Sequence, residues 1–159
     1  MSACASIAQI NVSPQGGVPK HPVPRATVTE LGLEGDTQRD RRYHGGPERA
    51  LCLFPLEHIR VLQGEGHAIT PGSIGENLTL EGLDWERLVP GSRLELGDGV
   101  LIEVTRYTSP CFNIKSSFSG GDYSRVSQKI HPGWSRVYAR VLTTGDIKQG
   151  DRVRLLDAP

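Results

Sequence analysis

The chain has 159 residues, with 18 basic and 18 acidic side chains, a length that fits one domain with its own core. The balance of charge excludes the global basic field that drives binding to nucleic acid or acidic membranes, so any cationic site has to be local. Three widely spaced cysteines (Cys4, Cys52, Cys111) contain no C-x-x-C pair, which speaks against a disulfide framework or a structural zinc cluster and for reduced thiols in a cytoplasm.

The first residues lack a basic start, a long apolar run and an arginine-rich amphipathic face, and no segment approaches the ~18 apolar residues of a membrane span. A soluble, unprocessed protein is expected. Glycine (19) and proline (11) are abundant against an average near 12% for the two together. They fall at short intervals, as turns between strands do.

In chain order, residues 3–12 place Ile7 and Ile10 among small and polar residues, a first strand stopped by Ser13-Pro14. Residues 26–31 alternate and predict a second strand. From Gly35 to Ala50 follows a very polar loop with four arginines (Arg39, Arg41, Arg42, Arg49), three acids (Asp36, Asp40, Glu48) and His44 around Gly45-Gly46-Pro47. Three readings stay open for it: a solvated connection, an anion site built from arginine forks and free N–H groups, or a catalytic loop using His44.

Residues 50–54 form a short apolar run that suits a buried strand, and Pro55 opens a helix with Leu56, Ile59 and Leu62 on one face. The polar loop is thereby tied to core and can act as a fixed rim. Residues 77–80 alternate between glycines. Residues 93–96 and 100–105, joined by Gly97-Asp98-Gly99, read as a hairpin. Asp122 is placed to cap a helix carrying Val126 and Ile130. Two last strands, 137–142 and 151–156, flank turns at Gly145-Asp146 and Gln149-Gly150. Eight or so short strands with two small helices predict a mainly β chain with a closed or nearly closed barrel, since closure removes exposed edges.

Cys111, in Ser109-Pro110-Cys111 just beyond the strand ending at Thr105, stands at the barrel rim. A lone cysteine is more often a small buried hydrophobe than a reagent. Lys115 and Arg106 would favour a thiolate if they faced it, able to attack sulfur or ligate a soft metal. Cys4 and Cys52 read as structural. Glu76 and Asn77, in the polar turn 72–77, are candidates for acid/base work and hydrogen bonding at the same rim. His58 reads as a packing or solvent-facing residue, and His21, His67 and His131 have no ligand spacing.

Gly-Leu-Glu-Gly-Asp (32–36), His-Gly-Gly-Pro-Glu-Arg-Ala-Leu (44–51), Phe-Pro-Leu-Glu-His (54–58), Gly-Glu-Asn-Leu-Thr (75–79), Ser-Pro-Cys (109–111), Tyr-Ala-Arg-Val-Leu (138–142) and Gly-Asp-Arg-Val (150–153) occur in this order. The chain thus resembles the MOSC domain family, named after the C-terminal domain of molybdenum-cofactor sulfurase, and in particular its small free-standing bacterial members. The resemblance implies one MOSC domain over residues 1–159, a β-barrel-like fold and the pterin-based molybdenum cofactor (molybdopterin). It matches Cys111 to a cysteine that ligates molybdenum or carries sulfur.

On that reading Asn77 and Glu76 orient substrate, while Asp36, Arg41, His44, Gly45, Gly46, Arg49 and Lys115 hold the anionic cofactor. The implied activity is reduction of N-hydroxylated compounds, with a small-molecule substrate and electrons from a separate reductase. The alternative is a sulfur carrier that takes a persulfide on Cys111 from a pyridoxal-phosphate-dependent cysteine desulfurase and passes it to a sulfur acceptor. After Cys111 the sequence Phe-Asn-Ile-Lys-Ser-Ser-Phe-Ser-Gly-Gly departs from the basic stretch of many relatives.

Overall fold

The structure is a computed structural model that describes residues 5–37 and 46–156. Eleven strands occur among them: β1 (Ala5–Val12), β2 (His21–Val23), β3 (Arg25–Thr29), β4 (Gly32–Leu33), β5 (Leu51–Pro55), β6 (Leu78–Glu81), β7 (Arg93–Leu96), β8 (Val100–Tyr107), β9 (Val137–Thr143), β10 (Gly145–Lys148) and β11 (Arg152–Leu156). One α-helix, α1 (Leu56–Gly64), and short 3-10 turns complete the set.

The strand order β1-β11-β7-β8-β9-β5-β6 returns to β1, because β1 pairs both with β6 and, through Ala5↔Val153 and Ser6↔Arg152, with β11. Seven strands therefore close a barrel, as the turn spacing predicts, and β2 extends β1 on the outside. All neighbouring pairs in the ring are antiparallel except β5–β6, which run parallel. A parallel pair needs a crossover. Here α1 and the turn that follows it supply the crossover.

Strand alternation fills the interior. Leu51 and Leu53 of β5, Val137 and Ala139 of β9, Ile102 and Val104 of β8, and Leu78 and Leu80 of β6 all belong to one buried cluster. A second cluster packs outside the barrel, where Phe54 meets Ile59 and Leu62 of α1 together with Ile69, Ile74, Ile114, Phe118 and Val126. Leu56 and the spacing to Ile59 and Leu62 produce the expected apolar stripe on α1. His58 packs: its ring stacks on Trp134 at 4.0 Å between centroids and Nε2 hydrogen-bonds Gly133 O at 2.8 Å.

Two expectations fail. Gly145-Asp146 is not a turn but the start of β10, which pairs with β3 in a separate three-stranded sheet, β10-β3-β4. Thr27 Oγ1 donates to Asp146 Oδ1 at 2.7 Å, so the aspartate that reads as a turn former serves a cross-strand bond. The helix proposed after Asp122 is a single 3-10 turn, Tyr123–Val126, without a side-chain cap. Asp122 accepts instead from Ser124 Oγ, a local bond that competes with a helix start. Val126 still reaches the second core, while Ile130 is exposed.

Candidate functional site

Cys52 of β5 is registered opposite Tyr138 of β9, and Tyr138 opposite Arg106 of β8. Their neighbours Leu51, Leu53, Val137 and Ala139 belong to the barrel cluster and Tyr107 packs against it, and a bulge between Val104 and Arg106 lets Arg106 face away from the inward Val104, so this row of three lies on the outer wall. The second core and the segments around it roof that wall and enclose a cavity of about 670 Å³. The expected position of the site, a barrel rim, is therefore corrected to the outer face of β5, β9 and β8.

Cys111 lines this cavity and is partly exposed. It sits in extended backbone just before the 3-10 turn Phe112–Ser117, whose Ile114 is buried in the second core and whose N–H donates to Cys111 O at 3.2 Å. On the other side, Thr108 N–H donates to Arg136 O at 3.0 Å and Ser135 Oγ to Thr108 O at 3.1 Å. The cysteine is thus pinned from both directions. Lys115 lies 3.9 Å over the Phe112 ring and is not part of the cavity wall.

The opposite wall comes from the turn before β6. Gly72 holds φ +86, and a Cβ there would lie 2.5 Å from Lys20 O, so only glycine lets this turn close on the β1–β2 connection. Asn77 lines the cavity and is almost fully buried. Its Oδ1 accepts from Cys52 N–H at 3.0 Å and its Nδ2 donates to Asp36 Oδ2 at 2.9 Å. Asp36 also accepts from Lys20 Nζ at 2.7 Å and Ser13 N–H at 2.8 Å. Asp36 is thereby the hub that fixes Lys20 and Asn77 in the wall.

Glu76 is fully buried and, unlike Gly75 and Asn77, does not line the cavity. Its Oε2 accepts from Thr79 Oγ1 at 3.2 Å. Burial pushes its carboxyl up to about 7, against the pull of the nearby Gly72 and Glu76 N–H groups, the Thr79 hydroxyl and the Arg136 charge. Burial also pushes the Cys52 thiol up to about 11 and the Tyr138 phenol up to about 12. Both remain protonated at neutral pH.

The polar loop contributes where it re-enters the described residues. Gly46, at φ +80, precedes the 3-10 turn Pro47–Arg49, and Arg49 lines the cavity with its guanidinium 5.8 Å from the Tyr138 ring centroid. Glu48 binds Arg106 Nη2 at 2.7 Å. Arg41, His44 and Gly45 lie outside the described residues.

Three contributors are not singled out by the sequence reading: Lys20, Arg136 and Tyr138. Arg136 is 5% exposed, lines the cavity and donates from Nη1 to Ile74 O at 2.7 Å. The available signal is the two-residue spacing of Arg136 and Tyr138 across an apolar strand, which puts both on one face. Cys52, read as structural, is buried as expected but also forms part of the cavity wall. Among the described residues the wall carries four cationic side chains, Lys20, Arg49, Arg106 and Arg136, and no carboxylate. Nor is any group of three or more His, Cys, Asp or Glu among them arranged to hold a metal ion.

Comparison with known proteins agrees with this architecture. The family model described as MOSC domain matches residues 40–154. Protein YiiM of Escherichia coli is 36% identical over 112 residues, 67% of this chain and 50% of its own length. A protein named Reductase from Gibberella moniliformis is 34% identical over 121 residues, 73% of this chain and 21% of that protein. The chain thus spans half or less of these two relatives. The crystal structure of YiiM from Geobacillus stearothermophilus superposes with a TM-score of 0.74 at 27% identity, over 96% of this chain and 75% of the other. By sequence, fold and the disposition of its motifs, the chain belongs to the MOSC domain family.

Proposed function

We propose that the cavity holds the molybdenum cofactor, with Cys111 as the protein's ligand to the metal, and that the protein reduces N-hydroxylated compounds. The observation that carries this reading is the placement of a partly exposed thiol, Cys111, at a cavity whose wall is cationic and free of carboxylates among the described residues. A thiolate is a soft ligand suited to this metal. With no multi-residue metal cluster among the described residues, the remaining ligands would come from the cofactor's own organic part.

The cationic wall fits the anionic part of such a group. Arg136, a buried guanidinium that lines the cavity, brings a permanent positive charge to that wall, and charge-assisted hydrogen bonds to an anion are the strong ones. Arg49 would add a further donor from the wall, with Asp36 holding that wall in place, and Arg41, His44 and Gly45, outside the described residues, are proposed as cofactor-binding from the sequence resemblance. When bound, the cofactor supplies two-electron redox chemistry suited to removing oxygen from an N–OH group. The protein's part is to bind, orient and exclude water: Asn77 and Lys20 are immobilised through Asp36, and Tyr138 presents a phenol that keeps its proton at neutral pH. The name of the fungal relative, Reductase, supports the reaction class. The electron donor is proposed to be a separate reductase.

A second reading, sulfur carriage, is favoured by one feature: Cys111 is a partly exposed free thiol, open to a desulfurase. In that case incubation with a desulfurase and cysteine adds the mass of one sulfur to wild type and none to Cys111→Ser. The cofactor reading is tested by metal and pterin analysis of protein from a host that makes the cofactor. It expects both in wild type and loss of molybdenum in Cys111→Ser.

A further inference from the structure

Past the row of Cys52, Tyr138 and Arg106, the outer wall of the barrel continues over β9, β8, β7 and β11. Alternation sets its composition. With Val141, Ile102, Leu94 and Val153 turned to the core, the charged side chains left outside are Arg140 of β9, Glu103 of β8, Arg93 and Glu95 of β7, and Arg152 and Arg154 of β11.

Register pairs these charges across the strands. Glu103 lies opposite Arg93 on one side and Arg140 on the other, and it accepts from Arg93 Nε at 2.8 Å and from Arg140 Nη2. Glu95 lies opposite Arg154 and accepts from its Nε at 2.9 Å and its Nη2 at 2.6 Å. In each pair the acid is the covered partner: Glu103 and Glu95 are 11% and 21% exposed, against 47%, 45% and 53% for Arg93, Arg140 and Arg154. On the roof the order is reversed, with Arg125 at 18% and its partner Glu65 at 39%.

The carboxylates of the barrel face thus hold the guanidiniums from below. A guanidinium has five N–H groups, so each of these arginines keeps donors that the cross-strand bonds do not use. Arginines fixed in this way lose less freedom when a further acceptor arrives. Arg152, exposed and two residues from Arg154 on the same face of β11, adds a fourth cation.

We propose that this arginine face is a docking surface for an acidic electron-carrying protein. The chain as a whole is neutral, yet here cations stand outermost over covered acids, a local field that steers an acidic partner to this one side. Among the described residues of these strands, Leu142 is the one large apolar side chain that is exposed. That is too little apolar surface for a permanent interface and suits the small, weak encounters of electron transfer. The face also runs into the site: Arg106, three residues after Glu103 on β8, is half-exposed and lines the cavity with Cys111. The choice of an electron carrier rests on the reductase reading, whereas the acidic character of the partner rests on the arginines alone.

Flavodoxin, a small acidic flavin protein, is the probe. The full chain, purified from a host that makes the molybdenum cofactor, is titrated with oxidised flavodoxin by calorimetry at ionic strengths from about 20 to about 300 mM. The expected result is saturable binding that weakens by about tenfold or more over that range. Arg93→Gln combined with Arg140→Gln weakens the low-salt binding by about tenfold or more. Arg25→Gln, at an exposed position of β3 in the separate sheet, leaves it unchanged. If the double variant does not fold, Arg152→Glu, the reversal of an exposed charge, decides with the same expected direction.

Folded wild type that does not bind flavodoxin at the lowest salt overturns the proposal, as does binding that the face variants leave intact or that Arg25→Gln weakens equally. A DNA duplex that binds more tightly than flavodoxin and is lost in the same variants assigns the face to nucleic acid, and self-association lost in those variants assigns it to a second copy of the chain; either result overturns the proposal. Metal and pterin content is a separate readout. Flavodoxin binding by a chain that never acquires molybdenum sinks the cofactor reading and leaves the acidic docking face standing, and molybdenum without docking sinks only this one.

Discussion

The two faces of β5, β9 and β8 are built from the same strands and have opposite characters. Inward, Leu51, Leu53, Val137, Ala139, Ile102 and Val104 form part of an apolar cluster. Outward, Cys52, Tyr138 and Arg106 stand in one row, and a second core roofs them against solvent. The inner face loses only apolar surface to burial, which is favourable at ~25 cal/mol per Å². The outer side buries Lys20, Glu76, Asn77 and Arg136 together with the side chain of Asp36, each costly unless paired. Polar burial concentrated at one face and absent from the other marks where stability has been exchanged for a site.

Breaking the outer face should cost at least as much as breaking the inner one. Asp36→Ala leaves Lys20 buried without its partner and frees Asn77 from its anchor. Removing one member of a buried pair costs about 3–5 kcal/mol. At this chain length each kcal/mol lowers Tm by about 2–4 °C, which thermal denaturation would show, and ligand retention should fall with it. Leu53→Ala, on the inner face, creates a cavity costing about 2–5 kcal/mol. It should lower Tm while leaving ligand affinity in the folded protein unchanged. Equal damage to ligand binding by both variants would mean that the faces are not separable.

Glu76 sharpens the comparison through pH. Its carboxyl is raised from an ordinary value of 4.5 to about 7 in the folded chain. A raised carboxyl contributes stability that is fully present below pH 4.5 and lost as pH climbs through about 7. The loss amounts to at most about 3 kcal/mol. Urea unfolding of Glu76→Gln at pH 5.5 and pH 8.5 should show a smaller drop than wild type. The smallest effect belongs to the exposed rim: Arg154→Ala removes a half-exposed ion pair with Glu95 on β7 and should change stability by less than about 1 kcal/mol.

The barrel was legible because its signals are local. Alternation in Leu94–Leu96 and Val100–Val104, with a glycine turn between, specifies a hairpin without reference to the remaining chain. Asp146 and Asp122 misled for different reasons: an aspartate beside glycine favours a turn or a cap, but Asp146 is claimed by a distant partner, Thr27, and Asp122 by a local one, Ser124, that competes with the cap. Cys111, Asn77 and Glu76 could be singled out as reactive or polar residues in turns. The strand to which each would be brought could not.

Arg136 escaped notice because an arginine at a strand start reads as solvated. Its partner in the wall, the carbonyl of Ile74, lies 62 residues away in the chain. Cys52 shows the converse. Its apolar strand made it read as core, and it is buried, yet the cavity lies on its side of the sheet.

The most direct test of the central claim is the molybdenum and pterin content of wild type and Cys111→Ser, purified from a host that makes the cofactor. With Cys111 as the ligand and Arg136 among the donors for the anionic end, wild type should carry the metal and pterin together, and Cys111→Ser should lose the metal while remaining folded. Wild type that carries neither, with Cys111 intact, would contradict the account.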